Sequence, residues 1–450
     1  MFTNVRFART FRSQNCMRYT TGMKKRVLVF PCGSEIGLEI HRSLCYSTHL
    51  EIIGGSSVAD HGEYMYNEYV DDLPQVSNSN FIESIDALAT SKKIDYIFPA
   101  HDDAIVALAQ AQARGKLQSK VITAPIETCL ITRSKSKTYE HMSSLVATPK
   151  LFTDGMTVKE KDWPVFLKPD AGQGSKGTHL AHNKDELDFY LQHDETLLIL
   201  ENLPGKEYTV DCFTDKNGAL LFCEGRERKR ILNGISVNSM TINDERFHSM
   251  ATEIGKKLAF RGVWFFQVKE RQDGELVLME IAPRVAGTMG LVRAKGVNLP
   301  LLSLFDAMDM PVAVFENDAT VVIDRALENT YKHNIMYKHV YLDLDDLVII
   351  NSKVNPSVVA FVYQCHNRGV SVHLITKHKE VIGETLKKYR LQSMFDEVIT
   401  LAADEEKHPH IIAPDSIFID DSFTERKKVH DRCKIPVFDA HMIESLTEKF

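Results

Sequence analysis

The chain has 450 residues, 44% of them hydrophobic and 26% charged, a composition that suits globular protein, leaves room for two or three domains and excludes a fibrous or wholly disordered one. Its 54 basic and 61 acidic residues give a formal charge of -7, which argues against a nucleic-acid-binding surface and confines any phosphate chemistry to a local site. Apolar runs such as Val27 to Phe30 and Val358 to Val362 stop far short of the roughly 20 residues a membrane helix needs, so no bilayer span is expected.

From the start, Met1 to Arg26 carries Arg6, Arg9, Arg12, Arg18, Lys24, Lys25 and Arg26 without one acidic residue. That bias resembles an organellar transit peptide. The plainer expectation is a flexible basic extension over residues 1–23, with the folded protein starting near Met23 in the cytoplasm. The cysteines at 16, 32, 45, 129, 212, 223, 365 and 433 show neither Cys-x-x-Cys nor zinc spacing and read as reduced thiols.

Over 24–127, short β-branched runs (Val27 to Phe30, Leu50 to Gly54, Asp95 to Pro99) alternate with helical stretches, predicting βαβ units and a parallel sheet. Gly33 and Gly37 follow the first strand, but Gly-x-x-x-Gly is not a dinucleotide fingerprint. Asp102 and Asp103 suit a helix N-cap or first turn. Over 128–334 the texture changes to polar loops and antiparallel strands: Val165 to Lys168, Thr196 to Leu200, Tyr208 to Phe213, Trp264 to Lys269 and Leu276 to Glu280. Over 335–450 the doubly wound pattern returns, with strands at 340–346, 370–375 and 416–421 that end in polar residues. The fold class expected is therefore multidomain, mixing α/β and α+β.

Transfer of a phosphoryl group from a nucleoside triphosphate needs cations and backbone donors around the phosphates and oxygen ligands for magnesium. The middle region offers both. Lys168 closes a strand and is followed by Ala171-Gly-Gln-Gly-Ser-Lys-Gly177, whose amides could cover phosphates, although a plain hairpin loop fits this stretch as well. Gln267 and Glu280 sit on neighbouring strands where they can share one metal, with Arg284 beyond to meet a phosphate oxygen. Arg226, Arg228, Lys229 and Arg230 form a basic stretch that could hold a substrate carboxylate. A solvated turn suits the first two equally, so Arg230 and Arg293 are the expected substrate anchors.

These motifs, in this order, resemble the ATP-grasp superfamily over about Lys24 to Met310, most nearly the carbamoyl phosphate synthase and biotin carboxylase-like branch. The resemblance implies a pre-ATP-grasp α/β domain followed by an ATP-grasp domain. Arg133-Ser-Lys135 looks like the first phosphate-lysine segment, Lys168 like the second, and Gly174, Ser175 and Lys176 like the phosphate loop. By the same likeness, backbone from Glu201 to Leu203 contacts adenine and Glu207 receives the ribose hydroxyls. Glu280-Ile-Ala-Pro-Arg284 resembles the family's Glu-Ile-Asn-Pro-Arg motif, but Ala282 replaces the metal-binding asparagine, leaving Gln267 and Glu280 for one metal. The activity implied is ligation of a small-molecule carboxylate to an amine through an acyl phosphate, using ATP and Mg2+, with Mn2+ as a substitute metal and a homodimer as one form of assembly.

In the last region, Asp343 and Asp345 stand two apart at a strand end, while Thr376 and Asp420-Asp421 end two others. This arrangement resembles the haloacid dehalogenase-like superfamily over about Lys338 to Phe450. The resemblance implies a Rossmannoid domain with Asp343 as nucleophile, Asp345 as general acid and base, Thr376 and Lys407 on the phosphate, and Asp343, Asp345, Asp420 and Asp421 as the metal side. Lys387 and Lys388 are alternatives to Lys407, and Leu347 stands where the family has threonine. Three functions remain open: a ligase with an appended phosphatase acting on a phosphorylated substrate, a phosphatase with an ATP-sensing domain, and a degenerate ATP-binding scaffold.

Overall fold

The computed structural model describes residues 24–172 and 174–448. The basic extension of residues 1–23, Gln173 of the glycine loop and the last two residues lie outside it, with the expectations placed on them. The chain divides into two compact units, Met1–Ala326 and Leu327–Phe450.

The first unit opens with five parallel strands, β1 (Lys25–Phe30), β2 (Leu50–Gly55), β3 (Glu68–Val70), β4 (Tyr96–Pro99) and β5 (Lys120–Val121), in the order β3-β2-β1-β4-β5. Helices α1 (Glu35–Leu44), α2 (Phe81–Ser91) and α3 (Asp102–Ala113) are threaded between them, and α4 (Ile126–Thr132) and α5 (Lys135–Met142) follow. Ser34 caps α1 by accepting from the Gly37 amide, so Gly33 and Gly37 serve a strand-to-helix turn. His101 caps α3, which puts Asp102 and Asp103 in its first turn, where the helix dipole favours carboxylates.

A four-stranded antiparallel sheet comes next: β6 (Leu151–Phe152), β7 (Val165–Pro169), β8 (His179–Ala181) and β9 (Leu197–Glu201), ordered β6-β9-β7-β8, with α6 (Lys184–His193) before its last strand. The largest sheet is also antiparallel, built from β10 (Glu207–Thr214), β11 (Leu220–Leu232), β12 (Ile235–Ile242), β13 (Gly262–Glu270), β14 (Leu276–Ala282) and β15 (Val322–Asp324). Their order is β14-β13-β10-β11-β12-β15, and α7 (Glu245–Lys257), α8 (Gly290–Ala294) and α9 (Leu299–Ala307) complete the unit. The basic stretch around Arg226 to Arg230 is thus the second half of a thirteen-residue strand, not a turn.

The expected boundary at 127 does not separate compact units. Val27, Val29 and Phe98 of the parallel sheet share one buried cluster with Phe213, Val263, Met289, Leu299 and Leu304, so the two layers exclude water together. The boundary expected at 334 falls eight residues earlier, at Ala326.

The second unit is a parallel sheet, β16 (His339–Leu342), a small β17 (Ile349–Ile350) and β18 (Lys353–Val354) hairpin, then β19 (Ser371–Thr376), β20 (Glu397–Thr400), β21 (Ser416–Ile419) and β22 (Val437–Phe438). The sheet order is β20-β19-β16-β21-β22, with α10 (Pro356–Asn367), α11 (Ile382–Lys388) and α12 (Phe423–Cys433) as crossovers. Among the described residues no helix is long and apolar enough to cross a membrane.

Candidate functional sites

A cleft of about 630 Å³ in the first unit is lined from both antiparallel sheets and from the segments that follow β1 and β4 of the parallel one. On the large sheet the antiparallel register sets Thr209 opposite both Arg226 and Gln267, and Gln267 opposite Glu280. Side chains alternate along a strand, so Glu207, Thr209, Arg226, Arg228, Phe265, Gln267 and Glu280 share the face that lines the cleft. Lys135, Lys168, Gly174, Ser175, Lys176, Glu201, Leu203 and Arg284 line the same cleft, so every nucleotide and first-metal residue expected from the sequence is brought to it.

Lys168 is buried, donating to the Tyr139 hydroxyl at 2.8 Å, while Lys135 donates to the Gly172 carbonyl at 2.9 Å. Burial and the neighbouring Lys135 charge push the Lys168 ammonium down to about 8. Lys135 is lowered too, by burial, against the pull of Glu280. Two desolvated ammonium groups side by side are costly until an anion joins them, which fits a triphosphate. The glycine loop is compatible with this: Gly174, Ser175 and Gly177 have φ of +61°, +53° and +68°, the left-handed backbone from which anion-binding amide loops are built. Thr209 Oγ1 is buried without a hydrogen-bond partner and faces the cleft opposite Gln267, a polar orphan that a bound ligand would satisfy.

The guanidinium groups around the cleft already hold carboxylates. Arg284 and Asp102 form a two-pronged pair, with Nη2 to Oδ2 at 3.0 Å, and Arg284 lies over the Phe265 ring. Burial would raise Asp102, yet Arg284 keeps it below the ordinary value. Arg226 pairs with Asp211 at 2.7 Å and donates to Thr288, both charges being essentially inaccessible. Arg228 pairs with Glu207 at 3.0 Å and Arg325 with Glu35 at 2.9 Å. Ala282 packs in an apolar cluster with Phe265 and Ala286, so no oxygen ligand stands at that position.

Neither expected substrate anchor lines the cleft. β11 bulges on either side of Arg230, which breaks the alternation and sends that side chain out to Asp324 at 2.6 Å, 59% exposed. Arg293 lies on α8, paired with Glu39 at 3.0 Å and away from the cleft lining. The cations at that end are instead Arg226, Arg228 and Arg325, with Glu35 and Thr288 beside them. The sequence offered Arg226 and Arg228 only as part of a basic stretch that a solvated turn suited equally, and Glu35 and Arg325 are distant in the chain and carry no local signature.

In the second unit, Asp343, Asp420 and Asp421 bring carboxylate oxygens within 4.8 Å of one another. The parallel pairing of β16 with β21, Leu342 opposite Ile419, sets the two acidic loops side by side. Lys407 is buried between them, 2.9 Å from Asp343 and 2.6 Å from Asp420, while Lys387 and Lys388 are solvent-exposed on α11. Burial, reinforced by Asp420, pushes Asp343 up to about 6 despite Lys407. Burial would lower Lys407, but the two carboxylates raise it. Three clustered carboxylates against one lysine leave negative charge that a divalent cation would fit. Asp345 departs from expectation: it lies outside this cluster. Leu347 is fully buried in the core and offers no hydroxyl to the loop. Thr376, also fully buried, ends β19 beside β16.

A model of the family described as ATP-grasp in the biosynthetic pathway with Ter operon matches residues 193–329. The carbamoyl phosphate synthase large chain of Clostridium beijerinckii is 29% identical over 161 residues, covering 32% of this chain and 15% of that protein. The D-alanine–D-alanine ligase of Petrotoga mobilis is 29% identical over 96 residues, 20% of this chain and 32% of that one. Among solved structures, the biotin carboxylase domain of Hydrogenobacter thermophilus 2-oxoglutarate carboxylase, in complex with MgADP, ADP and bicarbonate, aligns with a TM-score of 0.57 and 17% identity. That alignment covers 67% of this chain and 74% of that one. N5-carboxyaminoimidazole synthetase from Staphylococcus aureus, complexed with ADP, gives a TM-score of 0.57 and 14% identity over 68% of this chain and 83% of that one. About two thirds of the chain therefore shares the fold of these ATP-grasp proteins, while the chain spans only 15% and 32% of the two curated relatives.

Proposed function

We propose that the first unit is an ADP-forming ligase that activates a small carboxylate as an acyl phosphate and passes the acyl group to an amine. The observation that carries this reading is the convergence of Lys135, Lys168, the glycine loop, Gln267, Glu280 and Arg284 on one cleft. Lys135 and Lys168 neutralise the triphosphate, and their desolvation strengthens that attraction. Backbone from Glu201 to Leu203 meets the adenine edge and Glu207 the ribose. Gln267 and Glu280 hold Mg2+, which when bound screens the phosphate oxygens. Arg284, fixed by Asp102, steadies the transferring phosphoryl group, and Arg226, Arg228 and Arg325 orient the carboxylate for in-line attack. No protein nucleophile is required.

The test incubates the full chain with ATP, Mg2+ and a panel of carboxylates and amines, reading nucleotide products by mass spectrometry. ADP with phosphate is expected, and Glu280→Ala abolishes it. AMP with pyrophosphate as the main products would sink the reading.

We propose in addition that the second unit is a haloacid dehalogenase-like phosphatase, because Asp343, Asp420, Asp421 and Lys407 meet at the ends of adjacent parallel strands. Asp343, mostly ionised at neutral pH, attacks phosphorus; Lys407 and Thr376 receive the phosphate oxygens. Magnesium-dependent cleavage of an aryl phosphate by the full chain, lost in Asp343→Asn, is expected, because an amide is a poor nucleophile.

A further inference from the structure

The carboxylate of Asp345 is turned from the metal-side cluster onto a histidine. The parallel register that pairs Leu342 with Leu374, carried past the strand ends, brings the loop after β16 alongside the loop after β19. There His378 Nδ1 lies 3.0 Å and 2.9 Å from the two oxygens of Asp345, while Nε2 lies 2.8 Å from Thr385 Oγ1 on α11. The imidazole is only 12% exposed and Asp345 is 51% exposed, so the ring is fixed in the fold and holds an otherwise solvent-facing carboxylate. One further contact fixes the loop itself, since the His378 amide donates to Thr376 Oγ1 at 3.2 Å, and Thr385 is itself buried at 4% exposure. Within the acidic loop Leu347 is buried and supplies no hydroxyl, and the side-chain hydrogen bonds of Asp345 run to His378.

We infer that His378 is a positioning residue for Asp345, with Thr385 setting its ring, and that this pair serves acid catalysis in the phosphatase reaction proposed above, on which the inference rests. Nδ1 lies within hydrogen-bond distance of both Asp345 oxygens, so its contact fixes the plane of the carboxyl group, which in its acid form carries the proton on one of them. As the Asp343 oxygen bonds to phosphorus and the ester P–O bond breaks, Asp345 gives that proton to the departing alkoxide. The resulting Asp345 carboxylate then takes a proton from the water that attacks the aspartyl phosphate, releasing phosphate and restoring both side chains. His378 touches neither phosphorus nor the leaving group. Its work is to keep Asp345 at one angle.

The test compares two esters on the full chain with Mg2+: an alkyl phosphate, whose leaving group needs a proton, and p-nitrophenyl phosphate, whose leaving group does not. His378→Ala is expected to lower kcat on the alkyl ester by ~10–100-fold, within the range of general acid catalysis, with KM nearly unchanged and p-nitrophenyl phosphate affected less than ~3-fold. His378→Asn, which keeps a donor near the Nδ1 position, should recover much of the alkyl activity, and Thr385→Val should show a weaker form of the same selectivity. An equal loss on both esters, or no loss on either, overturns the inference while leaving the phosphatase reading in place. Wild-type protein that cleaves neither ester overturns both.

Discussion

Replacing Lys407 by methionine probes the acidic centre of the second unit most directly, because the substitution keeps the side chain's length and removes only its charge. Lys407 is 3% exposed between Asp343 and Asp420, at 2.9 Å and 2.6 Å. Breaking a buried pair by deleting one partner costs about 3–5 kcal/mol, since a charge is left without compensation. An independent bound comes from protonation. Moving one carboxylate from its ordinary value of 3.8 to neutrality at pH 7 spans roughly three units, at ~1.4 kcal/mol each about 4 kcal/mol. The two figures agree. Both tryptophans, Trp163 and Trp264, lie in the first unit, so their fluorescence is silent on this change. Hydrogen exchange by mass spectrometry on peptides spanning β16 and β21 of the full chain reads it instead, with protection expected to fall by ~10²–10³-fold in EDTA at pH 7. The sign with pH is fixed. Asp343 already sits at about 6 in the folded state and rises further without the lysine, so the variant's folded form binds protons that the unfolded form does not. Its deficit therefore shrinks as pH falls toward 5 and grows as pH rises toward 8. Magnesium at ~100 times its Kd should return about 2.7 kcal/mol. Unchanged protection in EDTA at pH 7 would refute the view that Lys407 neutralises the cluster.

Two further expectations concern the nucleotide cleft. With Lys168 at about 8, the free protein loses this ammonium above that pH, so ATP binding takes up a proton there and Kd should rise about tenfold per unit from pH 8 to 10; calorimetry in buffers of different ionisation heat measures the uptake, and Lys168→Met should remove it. Gly234, at the tip of the β11–β12 hairpin with φ of +75°, accepts from Arg228 Nη2 at 2.8 Å, and a methyl group on it would strike the Gly174 carbonyl. Gly234→Ala should thus push the hairpin off the glycine loop at a cost of about 1–3 kcal/mol, raising Kd for ATP by roughly tenfold or more; titration calorimetry with an unchanged Kd would count against that contact.

Much of the architecture was legible because strands and their ends announce themselves. Val27 to Phe30, Trp264 to Lys269 and Ser416 to Ile419 are short apolar or alternating runs, each closed by polar residues, and all three are strands. The cleft from Lys135 to Arg284 could be assembled because the motifs, in their order, resemble those of the ATP-grasp superfamily, while Gln267 and Glu280 could be paired because they stand on neighbouring strands. Arg230 shows where that logic fails: alternation extends from Arg226 through Arg228, then a bulge inverts it, and nothing in Arg228-Lys-Arg230 marks the bulge. The placement of Asp345 off the metal-side cluster has a related cause: the chain leaves the strand at Leu342, so strand alternation does not carry over to Asp343 and Asp345. That residues on either side of 127 share one core could not be read, because such a core is a long-range property of Phe98, Val263 and Leu304 together.

The resident ion pairs of the cleft bear on selectivity. Because Arg226, Arg228, Arg284 and Arg325 each face an internal carboxylate, an arriving anion does not find bare positive charge; it takes the guanidinium donors left over or exchanges with Asp211, Glu207, Asp102 or Glu35. Exchange penalises ions that offer charge alone, such as chloride or sulfate, since they surrender hydration to displace a partner already held at hydrogen-bond distance. A ligand that supplies several anchoring groups at once, and gives the displaced carboxylate a cation of its own, meets no such penalty. The ordinary salts and metabolite anions around the protein would therefore be poor competitors for this end of the cleft, which stays available to a multifunctional substrate without a gate to guard it.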